Sequence, residues 1–346
     1  MKKLINHIVF ALFFCCLSFG SGIQAQDIHF SQNYATPLFI NPGMTGLMNG
    51  DFRASIVYRN QWASVLSGQP FRTIYGAADM SLPMGENYNR LAFGLMLYND
   101  RGGELGFQTN YGDIALAYNV GLSERAFLSV GLEAGLAQRG FDGSAAQFGS
   151  QYEGGFNPLL PSGENLTSQS QWSFNAAAGA VFSLNFAERN NVYFGGGFYH
   201  LTQPDLSFNS NVPDELYSKL SIQAGGSVAL GEHFDLVPSL YFLKQGPHSK
   251  LDGGAFARYI FRRDRRSGLE RAASAGTFVR IANNIDALVL AGKLEYDGFG
   301  LGLSYDVTMS DLAIANGHRG GVEIALTYTA RLRTYQRSRT IQCPKF

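Results

Sequence analysis

Apolar side chains recur at every second position along most of the chain, which is the period of a β-strand. In residues 91–97, Leu, Phe, Leu and Leu alternate with Ala, Gly and Met. In residues 299–307, Phe, Leu, Leu, Tyr and Val alternate with Gly, Gly, Ser and Asp. The pattern predicts many short strands, each with one apolar face and one face of small or polar side chains.

Counting such segments between residues 52 and 332 gives about 14 strands, an even number typical of single-chain bacterial barrels. Dipeptides such as Asp297-Gly298 are typical of short hairpin connections. If the N-terminus is periplasmic, the two longest connections, about 140–169 and 201–215, face outward, where barrels carry long loops. We predict strands at 52–64, 70–83, 89–99, 107–121, 126–139, 170–184, 191–200, 216–231, 233–243, 250–263, 272–282, 286–296, 299–309 and 318–332.

Composition distinguishes between a membrane barrel and a soluble sandwich. The chain has 41 glycines, and only 16% of its residues are charged, whereas a soluble domain carries about a quarter. A sandwich buries its apolar faces and exposes more Lys and Glu. A membrane barrel turns the apolar face to lipid and the small polar face to the lumen. We therefore predict an all-β fold, a transmembrane antiparallel β-barrel of the outer membrane.

Residues 1–25 have the pattern of a secretory signal peptide, with Lys2 and Lys3 before an apolar run and a cut before Gln26. The run is shorter than the roughly 20 residues that cross a bilayer. Without Lys2 and Lys3, 25 of the 27 basic residues remain against 27 acidic ones. A net charge near zero argues against nucleic acid as a partner. Cys343 is then the last cysteine left, so no internal disulfide is expected.

Residues 26–51 have neither strand alternation nor helical period, yet they are rich in apolar side chains such as Phe30 and Tyr34. Because such side chains seek cover from water, we expect this segment at the periplasmic mouth or in the lumen. Pro37 and Pro42 are expected to hold it extended, with a turn at residues 41–43.

Two basic clusters lie at residues 258–271 and in a tail, residues 333–346, and strand parity places both on the periplasmic side. They are partner surfaces, or a solvated turn and a frayed end, or regions that simply attract the anionic lipid headgroups of the outer membrane.

No catalytic, metal or cofactor constellation stands out in the sequence. The histidines lack metal-ligand spacing, HExxH is absent, and Cys343 has no CxxC partner. We expect no catalytic, cofactor-binding or metal residues, although a triad assembled from distant strands stays open.

Two motifs resemble a known family. Residues 26–46, QDIHFSQNYATPLFINPGMTG, resemble the opening signature of the PorP/SprF family, approximately QDPHFSQFYANPLYLNPAFTG. Residues 59–62 resemble the element that follows it, and residues 343–346 resemble a CPRF-type end. The departures of the first motif from the signature include Ile28, Asn33, Thr36, Gly43 and Met44.

The resemblance implies a non-enzymatic outer-membrane barrel of the type IX secretion system of Bacteroidetes, linked in some members to gliding motility. It implies periplasmic partners, namely a PorK/PorN ring and a PorE-type peptidoglycan-binding lipoprotein, and a secreted surface cargo such as an adhesin. The alternatives are a porin whose 140–169 loop folds inward, and an enzyme. The expected partner-docking residues are Gln26, Asp27, His29, Phe30, Gln32, Tyr34, Pro37, Asn41, Pro42, Arg262, Arg263, Arg265, Arg266, Arg337, Arg339, Cys343, Pro344, Lys345 and Phe346.

Overall fold

Fourteen antiparallel strands close into one barrel in a computed structural model of the chain. The structure describes residues 27–66, 69–85, 88–143, 146–163, 170–187, 189–208, 214–263 and 270–332. Each strand pairs with its neighbours in sequence, and the last strand returns to the first, where Phe52 faces Ala330 and Gln61 faces Gly321. The strands are β1 Phe52–Gln61, β2 Phe71–Pro83, β3 Arg90–Gly102, β4 Phe107–Gly121, β5 Ala126–Gly140, β6 Ser170–Ala187, β7 Asn190–Tyr199, β8 Lys219–Ala229, β9 Phe234–Gln245, β10 His248–Arg263, β11 Glu270–Ile281, β12 Ile285–Tyr296, β13 Phe299–Thr308 and β14 Arg319–Ala330.

The alternation in the sequence corresponds to the two faces of the barrel wall. In β3, Phe93, Leu95 and Leu97 point outward and are exposed, whereas Ala92 and Met96 point inward and are buried. An apolar exterior around a partly polar interior is the arrangement of a membrane barrel. The predicted fold class and strand count are confirmed, and the predicted boundaries differ by only a few residues.

The two ends of the barrel differ. We call the end that carries the connections 141–169 and 200–218 the long-loop end, and the opposite end, where β1 begins, the short-turn end. At the short-turn end, Asp297 and Gly298 join β12 to β13 with φ angles of 49° and 97°. Positive φ at both central residues matches the twist of a tight hairpin.

Helical structure in the described residues is limited to single turns. They are α-helical turns at Pro37–Ile40 and Ala313–Asn316, and 3₁₀ turns at Asn33–Ala35, Pro42–Met44 and Gly149–Gln151. No helix in these ranges is long and apolar enough to cross a membrane.

Candidate functional site: the segment inside the barrel

Residues 27–51, called here the lumen segment, lie inside the barrel rather than beside it. Residues 35–48 are all buried. The expected extended backbone is wrong, because Pro37 and Pro42 each begin a helical turn. A proline ring fixes φ near the helical value, and the N–H it lacks has no helical partner at the first position. Asn41 caps the second turn by accepting a hydrogen bond from Gly43 N at 2.7 Å.

Aromatic side chains of the lumen segment pack against aromatic rings of the wall. Phe30 contacts Phe39 and the β2 residue Tyr75 edge-on, with ring centroids 5.4 and 5.5 Å apart. Phe39 in turn contacts Tyr98 of β3 at 6.0 Å. Fully burying one such side chain contributes about 1.5–3 kcal/mol. These contacts form an apolar core between the lumen segment and the barrel wall.

Glycines of the wall allow the segment to approach the strands closely. A Cβ atom on Gly131 of β5 would lie 2.2 Å from the Pro42 carbonyl oxygen, and one on Gly179 of β6 would lie 2.0 Å from Asn41 Oδ1. Neither distance is compatible with a side chain. At these two positions glycine is required by the lumen segment and is not simply a small residue in a curved wall.

The first of three polar attachments holds Ser31 and Gln32. Both backbone N–H groups donate to the Glu323 carboxylate, at 2.9 and 2.8 Å. Arg59 of β1 pairs with Glu323 at 3.0 Å and with Asp306 of β13 at 2.8 Å. Arg59 Nη1 also donates to Ser31 Oγ at 2.8 Å. Arg280 of β11 completes the cluster, with its own contacts to Asp306 and Ser31.

The second attachment holds Asp27 at the long-loop end. Its carboxylate lies 2.6 Å from Lys219 Nζ and 2.8 Å from His200 Nε2. His200 Nδ1 contacts Asn175 Oδ1 at 2.8 Å. Asp27 N also donates to Gln245 Oε1 at 3.0 Å. Burial disfavours the charged carboxylate, but attraction to His200 and Lys219 outweighs burial and lowers the pKa of Asp27 below its usual range.

The third attachment lies near the short-turn end, where the segment joins β1. Arg53 pairs with Asp79 of β2 at 2.7 Å, and Asp79 accepts a hydrogen bond from Gly46 N at 2.7 Å. Arg53 also donates to the carbonyl oxygens of Met44 and Leu47, both at 3.2 Å. The first two attachments thus lie toward the long-loop end, and the third lies near the short-turn end, so the segment runs along the barrel axis.

His29 lies between the first two attachments. Burial lowers its pKa well below the usual 6.5, and the positive charges of Lys250, Arg280 and Arg59 lower it further. His29 is therefore neutral at physiological pH.

The residues expected to dock partners fall into three groups. Those from Asp27 to Pro42 lie in the lumen segment, where Phe30, Gln32, Pro37, Asn41 and Pro42 are buried against the wall. At the end of β10, Arg262 is exposed, whereas Arg263 pairs with Glu270 at 3.2 Å. The others lie outside the described residues: Gln26, Arg265, Arg266, Arg337, Arg339, Cys343, Pro344, Lys345 and Phe346. Their docking role stays a prediction.

Sequence reasoning missed the wall residues that hold the segment, chiefly Arg59, Lys219, Arg280, Asp306 and Glu323. A signal was present, because each stands at an inward position of a strand. Charged side chains inside a barrel need partners, so opposite charges on separate strands could have been matched. Within the described ranges, no group of three or more His, Cys, Asp or Glu side chains could hold a metal ion.

Comparisons with solved structures concern the fold. The TodX monoaromatic hydrocarbon channel, as a deltaS2 mutant, is similar over 86% of this chain and 94% of its own, with 8% identity and a TM-score of 0.51. The toluene transporter TbuX of Ralstonia pickettii is also similar over 86% of this chain and 94% of its own, with 9% identity and a TM-score of 0.49. At such identities the likeness to TodX shows a shared barrel fold and nothing about a substrate.

No curated protein sequence matches the chain. The family comparison, by contrast, covers most of it, from residue 23 to residue 328, and so includes both the lumen segment and nearly all of the barrel. The chain belongs to the family described as type IX secretion system membrane protein PorP/SprF.

Proposed function

We propose that this protein is a closed outer-membrane anchor of the type IX secretion system. It assists the secretion or surface attachment of cargo proteins such as adhesins and, in hosts that glide, contributes to motility. One observation carries the proposal, which is that the chain fills its own lumen with residues 27–51 and fastens them to the wall through three polar clusters. A wall that is closed in this way suits attachment better than conduction.

A porin is the alternative, and it needs a water-filled lumen. Here the lumen contains a packed apolar core in which Phe30, Leu38 and Phe39 are at most 4% exposed. The porin alternative also needs the 140–169 connection to fold inward. In its described part, Tyr152 and Leu159 are instead exposed.

The two ends of the barrel suit different partners. Long loops of outer-membrane barrels are extracellular, so the long-loop end faces cargo and the short-turn end faces the periplasm. The exposed Arg262 and the basic tail, residues 333–346, then face a PorK/PorN ring, a PorE-type lipoprotein or anionic headgroups. The role is structural rather than catalytic.

Single-channel recording in planar bilayers tests the closed barrel. The full-length protein is expected to be silent, and a variant lacking residues 27–46 is expected to show steady conductance once its folding is verified. A steady open channel in the full-length protein would contradict the anchor and support the porin. Deletion of residues 334–346 tests docking separately, because recovery of the ring should be lost while the barrel stays folded.

A further inference from the structure

A cavity of about 180 Å³ lies at the long-loop end, directly beyond the tip of the lumen segment. Asp27 and Ile28 form its floor, and strands β2 to β6 form one side. Pro204, Leu206 and Leu216 of the connection after β7 form the other side. We call this cavity the vestibule. It adjoins the packed core around the segment, because Tyr98, Tyr111 and Ala137 belong to both.

Aromatic rings make up much of the vestibule wall. Tyr98 and Tyr111 stack with centroids 4.8 Å apart and ring planes 6° from parallel. Phe71 and Phe107 line the cavity toward the barrel rim. Ring faces carry negative electrostatic potential and attract cations within about 6 Å.

One carboxylate in the vestibule lacks a counter-ion. Asp100 of β3 accepts a hydrogen bond from Thr73 Oγ1 at 2.6 Å, and it forms no ion pair with any described residue. The other charged groups of the lining are paired, Asp27 with Lys219 and Arg139 with Asp214. Among the described residues, Asp100 is therefore the carboxylate of the lining without a direct ion-pair partner, and Arg59 offsets its charge only from beyond contact distance.

Residues of the connection after β7 cover the vestibule from the solvent side. Phe208 packs on Phe107 and Phe141, with centroids 6.2 and 4.9 Å apart. Arg139 lies 6.0 Å above the Phe208 ring and pairs with Asp214 at 3.3 Å. Because this cover leaves Asp100 only partly exposed, its charge acts over a longer range than it would at an open surface.

We propose that the vestibule binds one basic side chain, a guanidinium or ammonium group, presented by a polypeptide that approaches the long-loop end. A cation there would pair with Asp100 and lie against the rings of Tyr98 and Tyr111. The size is suitable, since a cavity of about 150 Å³ holds a benzene ring. Arginine fits better than lysine, because its planar group stacks on aromatic rings and binds carboxylates with two hydrogen bonds. The proposal rests on the assignment of this end to cargo.

Calorimetric titration of the purified full-length protein in detergent tests this site. The probe is the peptide acetyl-Gly-Arg-Gly-amide, and the matched control peptide carries citrulline, which has nearly the same shape without the charge. We expect saturable binding of the arginine peptide and at least tenfold weaker binding of the citrulline peptide. Equal binding of the two peptides overturns the proposal.

Variants locate the site. Asp100→Asn should weaken binding of the arginine peptide at least tenfold, whereas Asp311→Asn, which removes an exposed carboxylate at the same end, should leave it unchanged. Phe107→Leu, which keeps apolar volume but removes a ring, should weaken it severalfold and serves if Asp100→Asn does not fold. Unchanged binding in both vestibule variants overturns the site.

A third titration, with a small free cation, tests whether the bound cation belongs to a polypeptide. Ethylguanidinium contains the charged group without a peptide backbone, and it should bind more weakly than the arginine peptide. If it binds as tightly, the ligand is a free small cation and the polypeptide assignment is wrong. None of these outcomes alters the conductance test, so failure of this site and failure of the closed anchor can be told apart.

Discussion

Lys219 Nζ lies 2.6 Å from Asp27 Oδ2, although 192 residues separate the two in sequence. Both side chains are buried, with 1% and 8% of their surface exposed. The ammonium also lies 4.3 Å from the ring centroids of both Phe39 and Tyr199. One side chain of β8 thus holds the tip and the middle of the lumen segment together.

Lys219→Met should loosen the tip of the segment. Removing one partner of a buried ion pair costs about 3–5 kcal/mol, and we expect the lower end because water from the vestibule can reach Asp27. Urea unfolding in lipid micelles measures the loss, and protease cleavage between residues 27 and 36 reports release of the tip. The double variant Asp27→Asn with Lys219→Met should recover part of the stability. If Lys219→Met unfolds like the unmodified protein, the pair does not hold the tip.

Arg59→Met should have a similar effect on the part of the segment that contains Ser31 and Gln32. The variant leaves Glu323 without its cation and leaves Asp306 with Arg280 alone. We expect a loss of about 3 kcal/mol in the free energy of unfolding. Arg319→Met removes an exposed arginine at the start of β14 and should change stability by less than about 0.5 kcal/mol. Equal stability of the two variants would mean that the cluster contributes nothing net.

The strands were predictable because their signal is local. The period of two is contained within each segment of roughly ten residues, and β13, predicted at 299–309, is observed at Phe299–Thr308. The path of the lumen segment was not predictable in this way. Ser31 N finds its acceptor on Glu323, 292 residues later, and no local pattern reports a contact over that distance.

The basic cluster after β10 shows a second limit of local patterns. Counting charges along residues 258–271 indicates a strongly positive surface, but the barrel brings acids from other strands to the same place. Arg258 pairs with Asp235 of β9, Glu270 of β11 and Glu295 of β12. Part of the predicted docking charge is thereby neutralised inside the barrel, and a linear count cannot detect this.

Gly131→Ala tests the close approach between the wall and the segment. The new methyl group would collide with the Pro42 carbonyl oxygen, a backbone atom that cannot rotate away. Overpacking of this kind costs about 1–3 kcal/mol, measured as a lower urea midpoint. Gly76→Ala is the matched control, because a Cβ atom there meets nothing within 4 Å. If both alanine variants unfold at the same urea concentration, the segment does not press on β5.

Acid should loosen the segment through His29. Its pKa is about 6.5 in the unfolded chain and well below that in the barrel, so below pH 6.5 the unfolded chain binds the extra proton. Stability therefore falls as the pH drops through 6.5, by up to about 1.4 kcal/mol per pH unit for one proton. Asp27 affects stability only at lower pH, because its pKa in the barrel lies below the usual 3.8. Its contribution to the free energy of unfolding is lost only under stronger acid.

Urea unfolding at pH 7.5, 6.5, 5.5 and 4.5 measures the slope of the free energy of unfolding against pH. His29→Gln should flatten it between pH 6.5 and 4.5, because glutamine takes up no proton. His248→Gln removes an exposed histidine at the start of β10 and should leave the slope unchanged. A slope of the same size in His29→Gln would show that the acid sensitivity between pH 6.5 and 4.5 does not come from His29. Burial and the positive charges of Lys250, Arg280 and Arg59 disfavour protonation of His29. Removing that histidine should therefore make the free energy of unfolding less sensitive to acid.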